Sequence, residues 1–206
     1  MIYIVYEVTS PTDTYTFQTY NIQTGEMKIL FNKTSSSMSV TGTLGSILCD
    51  GKYIYITFRN SDPGSFVKIN CITGESTTYS SGVRYNCNGQ SDWYDNNNII
   101  ISTSQGHMIF NINTNEFTHV TYKSDDSRFM FALGKKLICS TYTDLAYYDI
   151  ENDINTTTPI PSVSSDSFVC YGNGKFYVVS SNRISIFDEN KKLKYIKREY
   201  LFGKRE

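Results

Sequence analysis

The stretch Ile69-Asn70-Cys71-Ile72-Thr73-Gly74-Glu75 decides the fold, because variants of it recur along the chain. In each copy, Asn or Asp comes directly after the apolar residue that ends a strand, and Gly or Asn usually follows within the turn. Asn and Asp side chains accept hydrogen bonds from their own turn, and Gly adopts positive φ without steric strain. The motif therefore predicts a hairpin turn between two antiparallel strands.

The motif occurs five times at a nearly constant spacing. Its anchors are Asn21, Asn70, Asn111, Asp149 and Asp188, which are 49, 41, 38 and 39 residues apart. This period is typical of four short strands per repeat, as in the blades of a propeller. The sequence therefore predicts a single all-β domain, a five-bladed β-propeller of four-stranded antiparallel blades.

The blade boundaries follow from the apolar strands around each anchor. The predicted blades are 199–206 with 1–31, 45–79, 90–122, 127–158 and 166–197. The first blade begins directly at its second strand, so we expect residues 199–204 to supply its innermost strand and to close the ring. Closure also leaves no exposed inner edge strand. An open fragment of a six- or seven-bladed ring is the alternative.

The segment Gly51-Lys52-Tyr53-Ile54-Tyr55, together with the turn at Asn70, resembles the second strand and turn of β-propeller repeats of the broad kelch and YVTN type. The repeats of this chain lack the paired glycines of kelch blades and the Trp-Asp ending of WD blades. The resemblance implies the propeller fold. It implies no activity, because this fold serves many unrelated functions.

The charge balance bears on the partners of the protein. The chain has 19 basic and 20 acidic residues, so neither a nucleic-acid-binding face nor a polybasic membrane patch is expected. No signal peptide or apolar run of membrane-spanning length is recognisable. The five cysteines form no CxxC and are predicted to be free thiols. We expect a cytoplasmic or virion protein, and the Asn-, Ile- and Tyr-rich composition hints at a phage or low-GC bacterial origin.

Four carboxylates near innermost strands are candidates for acid–base chemistry on a sugar, as in five-bladed glycosidases. They are Asp50, Asp92, Asp95 and Asp166. The competing interpretation is that Asp50 and Asp95 cap turns between strands. We expect no catalytic residues, with a glycosidase-like enzyme as an alternative.

Metal and cofactor sites are not expected either. His107 and His119 are the two histidines, and no carboxylate or Cys lies near them at ligand spacing. Trp93, the single Trp, is placed in an innermost strand. It is expected either to fill the core or to stack on a glycan or small metabolite in the channel mouth, which is a second functional alternative.

The leading hypothesis is a non-catalytic binding or scaffold module for a protein partner. The long loops at 10–14, 32–44, 59–64 and 80–90 should emerge on one side of adjacent blades, where variable loops often mark a binding surface. Simple solvated loops are the alternative. The residues predicted to contact the partner are Arg59, Asp62, Arg84 and Tyr85, with Trp93 just below them.

Overall fold

The structure is a computed structural model of the 206-residue chain. It describes residues 2–8, 13–59, 64–83, 90–103, 106–120, 128–140, 144–159, 168–180, 183–188 and 193–197. The chain divides into two compact units, Met1–Tyr122 and Lys123–Glu206.

The first unit contains three antiparallel sheets and a short helix. Sheet 1 consists of β1 (Ile2–Val8), β2 (Thr14–Tyr20) and β3 (Met27–Thr34), and is followed by α1 (Ser35–Met38). Sheet 2 consists of β4 (Thr43–Cys49), β5 (Tyr53–Arg59), β6 (Ser65–Asn70) and β7 (Ser76–Ser80). Sheet 3 consists of β8 (Ser91–Trp93), β9 (Asn98–Thr103), β10 (Gly106–Asn111) and β11 (Glu116–Val120).

The second unit contains two further antiparallel sheets of four strands. Sheet 4 consists of β12 (Arg128–Leu133), β13 (Lys136–Ser140), β14 (Asp144–Asp149) and β15 (Ile154–Pro159). Sheet 5 consists of β16 (Phe168–Gly172), β17 (Lys175–Ser180), β18 (Arg183–Asp188) and β19 (Leu193–Lys197). In all five sheets, strands that are consecutive in sequence are neighbours in space.

The prediction of an all-β chain built from four-stranded antiparallel sheets is confirmed for sheets 2 to 5. Sheet 1 has three strands within the described residues, and β1 pairs there with β2. The predicted fourth strand, residues 199–204, lies outside the described part of the chain. β3 continues to Thr34. β4 begins at Thr43 and has a β-bulge against β5 between Leu44 and Ile47.

The repeated motif forms the same turn in four sheets. The anchor side chain accepts backbone N–H hydrogen bonds from the residues two and three positions later, for example from Ile72 at 2.8 Å and Thr73 at 3.1 Å in the Asn70 turn. The residue four positions after each anchor has positive φ, and these residues are Gly25, Gly74, Asn115 and Asp153. The predicted hairpin turn is therefore confirmed in these four sheets, and its left-handed residue always lies four positions after the anchor.

The core of the first unit lies between neighbouring sheets, because the middle strands are buried on both faces. Ile54, Ile56 and Phe58 of β5 join a core shared with sheet 1, whereas Tyr55 joins a second core with Phe110 of sheet 3. This alternation follows from the two-residue period of a strand. Burying each such side chain contributes about 1.5–3 kcal/mol, so packing between sheets is the main stabilising term.

In the second unit, Ile138 of sheet 4 packs in the same way with Phe176, Val178 and Phe187 of sheet 5. The fully buried middle strands contrast with the exposed outer strands such as β3 and β11. The side chains that can meet a partner therefore lie on outer strands, turns and loops.

Candidate partner-binding surface

Arg59 is the predicted contact residue that the structure places most clearly. It ends β5, pairs with Thr43 at the start of β4, and has an exposed side chain. Its Nε donates a hydrogen bond to the carbonyl oxygen of Leu44 at 3.1 Å. Asp62, Arg84 and Tyr85 lie outside the described residues, so their role as contacts remains a prediction.

The ends of the predicted loops meet at the same end of sheet 2 as Arg59. The Gly64 N–H, after β5, donates to the carbonyl oxygen of Val83, after β7, at 3.0 Å, and the Ser81 N–H donates to the Gly64 carbonyl oxygen at 3.0 Å. In sheet 1, the Ser35 N–H donates to the carbonyl oxygen of Asp13 at 3.1 Å. We call this end, defined by residues 35–43, 59, 64 and 81–83, the loop end.

The segment between β3 and β4 is more ordered than its Ser- and Thr-rich sequence suggests. Thr34 and Ser37 form a reciprocal capping box that starts α1, with the Ser37 N–H donating to Thr34 Oγ1 at 3.1 Å. Met38 and Val40 are buried in the core between sheets 1 and 2, and the Thr78 hydroxyl donates to the Met38 carbonyl oxygen. Sequence analysis missed this helix, whose one signal is Thr34 three residues before Ser37. Met38 and Val40 thereby anchor this part of the loop end to the core.

Trp93 does not belong to the loop end. It ends β8, and its ring packs edge-on against Tyr55 with 5.7 Å between centroids, within the core of sheets 2 and 3. Tyr55 precedes Arg59 on β5 by four residues, which is about 13 Å along a strand. Trp93 therefore contacts β5 four residues away from Arg59, and its role as a contact residue remains a prediction. Its half-buried side chain fits the core-filling interpretation.

The carboxylates proposed for acid–base work are bound in turns. Asp50 Oδ1 accepts from the Lys52 N–H at 2.7 Å and the Tyr53 N–H at 2.6 Å, and its Oδ2 accepts from the Tyr55 hydroxyl at 2.8 Å. Burial, together with this bond to Asp50, raises the pKa of Tyr55. These contacts agree with the turn-capping interpretation of Asp50.

Asp95 and Asp92 are engaged in a comparable way. Both Asp95 carboxylate oxygens accept from the Asn98 side-chain amide, at 2.9 and 2.8 Å, and Oδ1 also accepts from the Asn97 N–H at 2.8 Å. Asp92 Oδ1 accepts from the Trp93 N–H at 2.8 Å. Asp166 lies outside the described residues. Asp50, Asp92 and Asp95 thus accept hydrogen bonds from nearby backbone N–H groups, and Asp50 and Asp95 also accept from the Tyr55 and Asn98 side chains.

The two histidines have different surroundings. His107 on β10 is buried, and the loss of solvent lowers its pKa to about 4, so its ring is neutral at physiological pH. His119 on β11 is exposed. Among the described residues, no three His, Cys, Asp or Glu side chains gather in a way that could hold a metal ion.

The opposite end of sheets 1 and 2, where the Asn70 turn lies, contains a contact that sequence analysis missed. Cys49 ends β4, Cys71 follows β6, and their sulfur atoms are 3.9 Å apart. Burial and the neighbouring Cys49 raise the pKa of Cys71 to about 12. No signal in the sequence joins these cysteines, because they are 22 positions apart and the two strands β5 and β6 lie between them.

The described part of the chain has no helix that could act as a membrane span, since α1 has four residues. No protein-family model and no curated protein matches the sequence.

Solved structures of β-propeller proteins are similar to this chain. TolB from Acinetobacter baumannii is 13% identical with a TM-score of 0.57, over 96% of this chain and 52% of TolB. The β-propeller domain of Swd1 from Myceliophteria thermophila is 10% identical with a TM-score of 0.54, over 77% of this chain and 56% of that domain. A chain of a nidogen–laminin complex is 10% identical with a TM-score of 0.54, over 96% and 93%.

These similarities show a propeller fold, and at such low identity they show the fold alone. The chain spans about half the length of TolB and of the Swd1 domain. Similar structures also include enzymes, namely a glutaminyl cyclase from Myxococcus xanthus and an apocarotenoid oxygenase from Synechocystis. These comparisons do not test the resemblance of the sequence to kelch and YVTN repeats.

Proposed function

We propose that this chain is a non-catalytic β-propeller that binds a protein partner through its loop end. One observation carries the proposal. The exposed side chain of Arg59 is hydrogen-bonded to the Leu44 carbonyl oxygen, and the segment beside it is anchored by the buried side chains of Met38 and Val40. A fixed surface loses less conformational entropy on binding than a flexible one. Arginine is also enriched among the residues that dominate interface energies.

A protein partner is favoured over a ligand in the channel mouth for two reasons. Trp93, the aromatic ring proposed to stack on a sugar, packs against Tyr55 in the core. Asp50 and Asp95, proposed as acid and base, accept hydrogen bonds from their own turns. One of the similar chains comes from a complex of nidogen with laminin, which is consistent with this choice.

The architecture proposed with this function is a closed ring of five blades, one for each sheet. In sheets 2 to 5, the second strand pairs on one side with the third strand and on the other side with an innermost strand; these second strands are β5, β9, β13 and β17. β1 is the equivalent strand of sheet 1, and within the described residues it pairs with β2. We propose that residues 199–204 take that place beside β1. Deleting residues 198–206 should then lower the melting temperature strongly or prevent folding, since an inner strand edge would be left unpaired. A truncated chain that melts like the full chain would contradict closure.

We also propose a cytoplasmic or virion location, a reducing setting in which cysteines stay free. The described cysteines Cys49, Cys71, Cys139 and Cys170 are free thiols in the structure. Alkylation without reductant, followed by mass spectrometry, should find unpaired thiols in protein from the native source. A stoichiometric native disulfide would argue against a reducing compartment.

The experiment that tests the binding surface compares capture of partners from the native host by three tagged full-length chains. In the triple variant R59A/R84A/Y85A, we expect the main captured protein to fall at least about tenfold, which corresponds to about 1.4 kcal/mol. The matched control is Ile72→Ala, at the opposite end, where Ile72 is 90% exposed. The melting curves of both variants should stay close to that of the unchanged chain, because surface substitutions change stability by about 0.5 kcal/mol or less.

Binding that survives the triple change and is lost in the Ile72→Ala variant would show that the partner uses the other end. Hydrolysis of a glycoside by the purified chain would instead support the enzyme alternative.

A further inference from the structure

The start of β3 combines a free strand edge with exposed apolar side chains. β3 is the outer strand of sheet 1, and β2 pairs with it on one side while no described strand lies on the other. The side chains of Met27 and Ile29 are each 59% exposed. The corresponding residues of β7 in sheet 2, Ser76 and Thr78, are polar. A free edge beside exposed apolar groups is a place where another strand can pair.

The backbone at Met27 is directed at this free edge. On the β2 side, the Glu26 carbonyl oxygen accepts a hydrogen bond from the Asn21 N–H at 2.9 Å. The backbone groups of successive strand residues point alternately to the two sides of the strand, so the N–H and C=O of Met27 point away from β2. Met27 therefore offers one donor and one acceptor to a strand that lies alongside.

The charges around Met27 restrict which strand can pair there. Glu26 and Lys28 are both exposed, one on each side of Met27 in the sequence. A lysine on an edge strand hinders pairing, whereas opposite charges directly across two strands favour it. When two copies of β3 pair antiparallel about a two-fold axis at Met27, Glu26 of each copy lies opposite Lys28 of the other. The chain itself therefore supplies the acidic partner that Lys28 requires.

We propose that this chain forms a two-fold dimer in which the β3 strands of two copies pair antiparallel, centred on Met27. The two Met27 residues exchange backbone hydrogen bonds, and the two copies of sheet 1 become one continuous sheet. The Met27 and Ile29 side chains of both copies gather on one face, and two Glu26–Lys28 ion pairs lie on the other. Because the paired segment is short, we expect a monomer–dimer equilibrium in the micromolar range.

This dimer keeps both loop ends free. β3 runs from Met27 toward the loop end at Thr34, and antiparallel pairing directs the two loop ends to opposite ends of the joined sheet. With the partner-binding function proposed above, the dimer is bivalent, so it should bind a surface that presents several copies of the partner more tightly than a monomer does. The dimer itself does not depend on that function.

The test is sedimentation velocity of the full-length chain over a series of concentrations. Glu26→Lys and Lys28→Glu each place like charges opposite one another, so each variant alone should dimerise at least about tenfold more weakly. An equimolar mixture of the two variants should dimerise again, because position 26 of one variant then faces the opposite charge at position 28 of the other. The double variant E26K/K28E should dimerise like the unchanged chain.

The matched control is Glu75→Lys in sheet 2. Glu75 has the same turn position as Glu26, and each carboxylate accepts from the Thr hydroxyl two residues earlier at 3.3 Å. Glu75→Lys should thus lose the same local contact and leave the dimer unchanged. Met27→Pro removes the outward N–H and should abolish the dimer, whereas Met27→Ala keeps this N–H and should only weaken it. Melting curves verify that each variant is folded.

Three results would overturn the proposal. The first is a chain that stays monomeric at every concentration. The second is a dimer that none of the folded β3 variants weakens. The third is a mixture of the two charge variants that dimerises no better than either variant alone. The loop-end variant R59A/R84A/Y85A should dimerise like the unchanged chain, so failure of the dimer and failure of the proposed partner surface are distinguishable.

Discussion

The turn that defines the repeat can be tested by adding a single methyl group at the same position of two sheets. Gly25 and Gly74 both lie four residues after an anchor Asn, with φ of +74° and +70°. A Cβ at Gly25 would meet no atom within 4 Å, whereas a Cβ at Gly74 would lie 3.2 Å from Cγ and Cδ1 of Phe31. Gly25→Ala and Gly74→Ala therefore share backbone strain and differ in packing.

The magnitudes follow from these two effects. Left-handed backbone costs an L-residue about 1–2 kcal/mol, and the reduced entropy of the unfolded chain offsets about 0.4–1 kcal/mol of this. Gly25→Ala should thus lose about 1 kcal/mol. Gly74→Ala should lose about 1–3 kcal/mol more from overpacking, because the Phe31 ring cannot move away freely. It packs against the ring of buried Phe17 with 4.8 Å between centroids.

The assay is equilibrium urea denaturation, supported by thermal melting, in which each kcal/mol corresponds to about 2–4 °C for a chain of this size. Gly25→Asn should be milder than Gly25→Ala, because Asn tolerates this conformation and occupies it at Asn115. In a Phe31→Ala background, the loss caused by Gly74→Ala should shrink to that of Gly25→Ala, since the contact is removed. Equal losses for the two alanine variants in the unchanged background would refute the packing argument, and a stabilising Gly25→Ala would refute the positive φ.

Two further predictions concern polar groups. Asp50→Ala should destabilise the fold by about 1–3 kcal/mol, because the N–H groups of Lys52 and Tyr53 and the Tyr55 hydroxyl lose their acceptor; urea denaturation measures this, and an unchanged midpoint would contradict it. Burial lowers the pKa of His107 to about 4 in the folded state, below the value of about 6.5 in the unfolded state. Between these pH values only the unfolded state binds this proton. The free energy of unfolding should therefore fall as the pH drops from about 6.5 to about 4. His107→Asn should lose stability less steeply with pH over that interval, and parallel curves for the two proteins would show that His107 does not contribute.

Local chemistry makes the strands and turns predictable from the sequence. Each turn is defined within five residues: an Asn side chain accepts a hydrogen bond from its own turn, and a residue with left-handed backbone follows. The residue types alone therefore indicate the turns at Asn21, Asn70 and Asn111. The same reasoning identifies Asp50 as a turn cap.

Other features required the tertiary structure, because they depend on distances between residues that are far apart in sequence. The contact of Trp93 with Tyr55 is one example, since it depends on the register of β8 against β9 and on the packing of sheet 3 against sheet 2. The order of the segment around α1 arises because Met38 and Val40 fill a gap between two sheets, which no local pattern in a Ser-rich stretch indicates.

The sequence by itself determined the repeat unit, the strand order within each sheet and the turn chemistry, since these are set by neighbours along the chain. The tertiary structure alone decided which side chains from different segments meet. Cys49 and Cys71 are the clearest case, because two whole strands, β5 and β6, separate them in sequence. Only the folding of β4, β5 and β6 into one sheet brings their sulfur atoms to 3.9 Å. Side-chain direction at the ends of strands depends on the twist and register of the whole sheet, and these arise from packing against the neighbouring sheets.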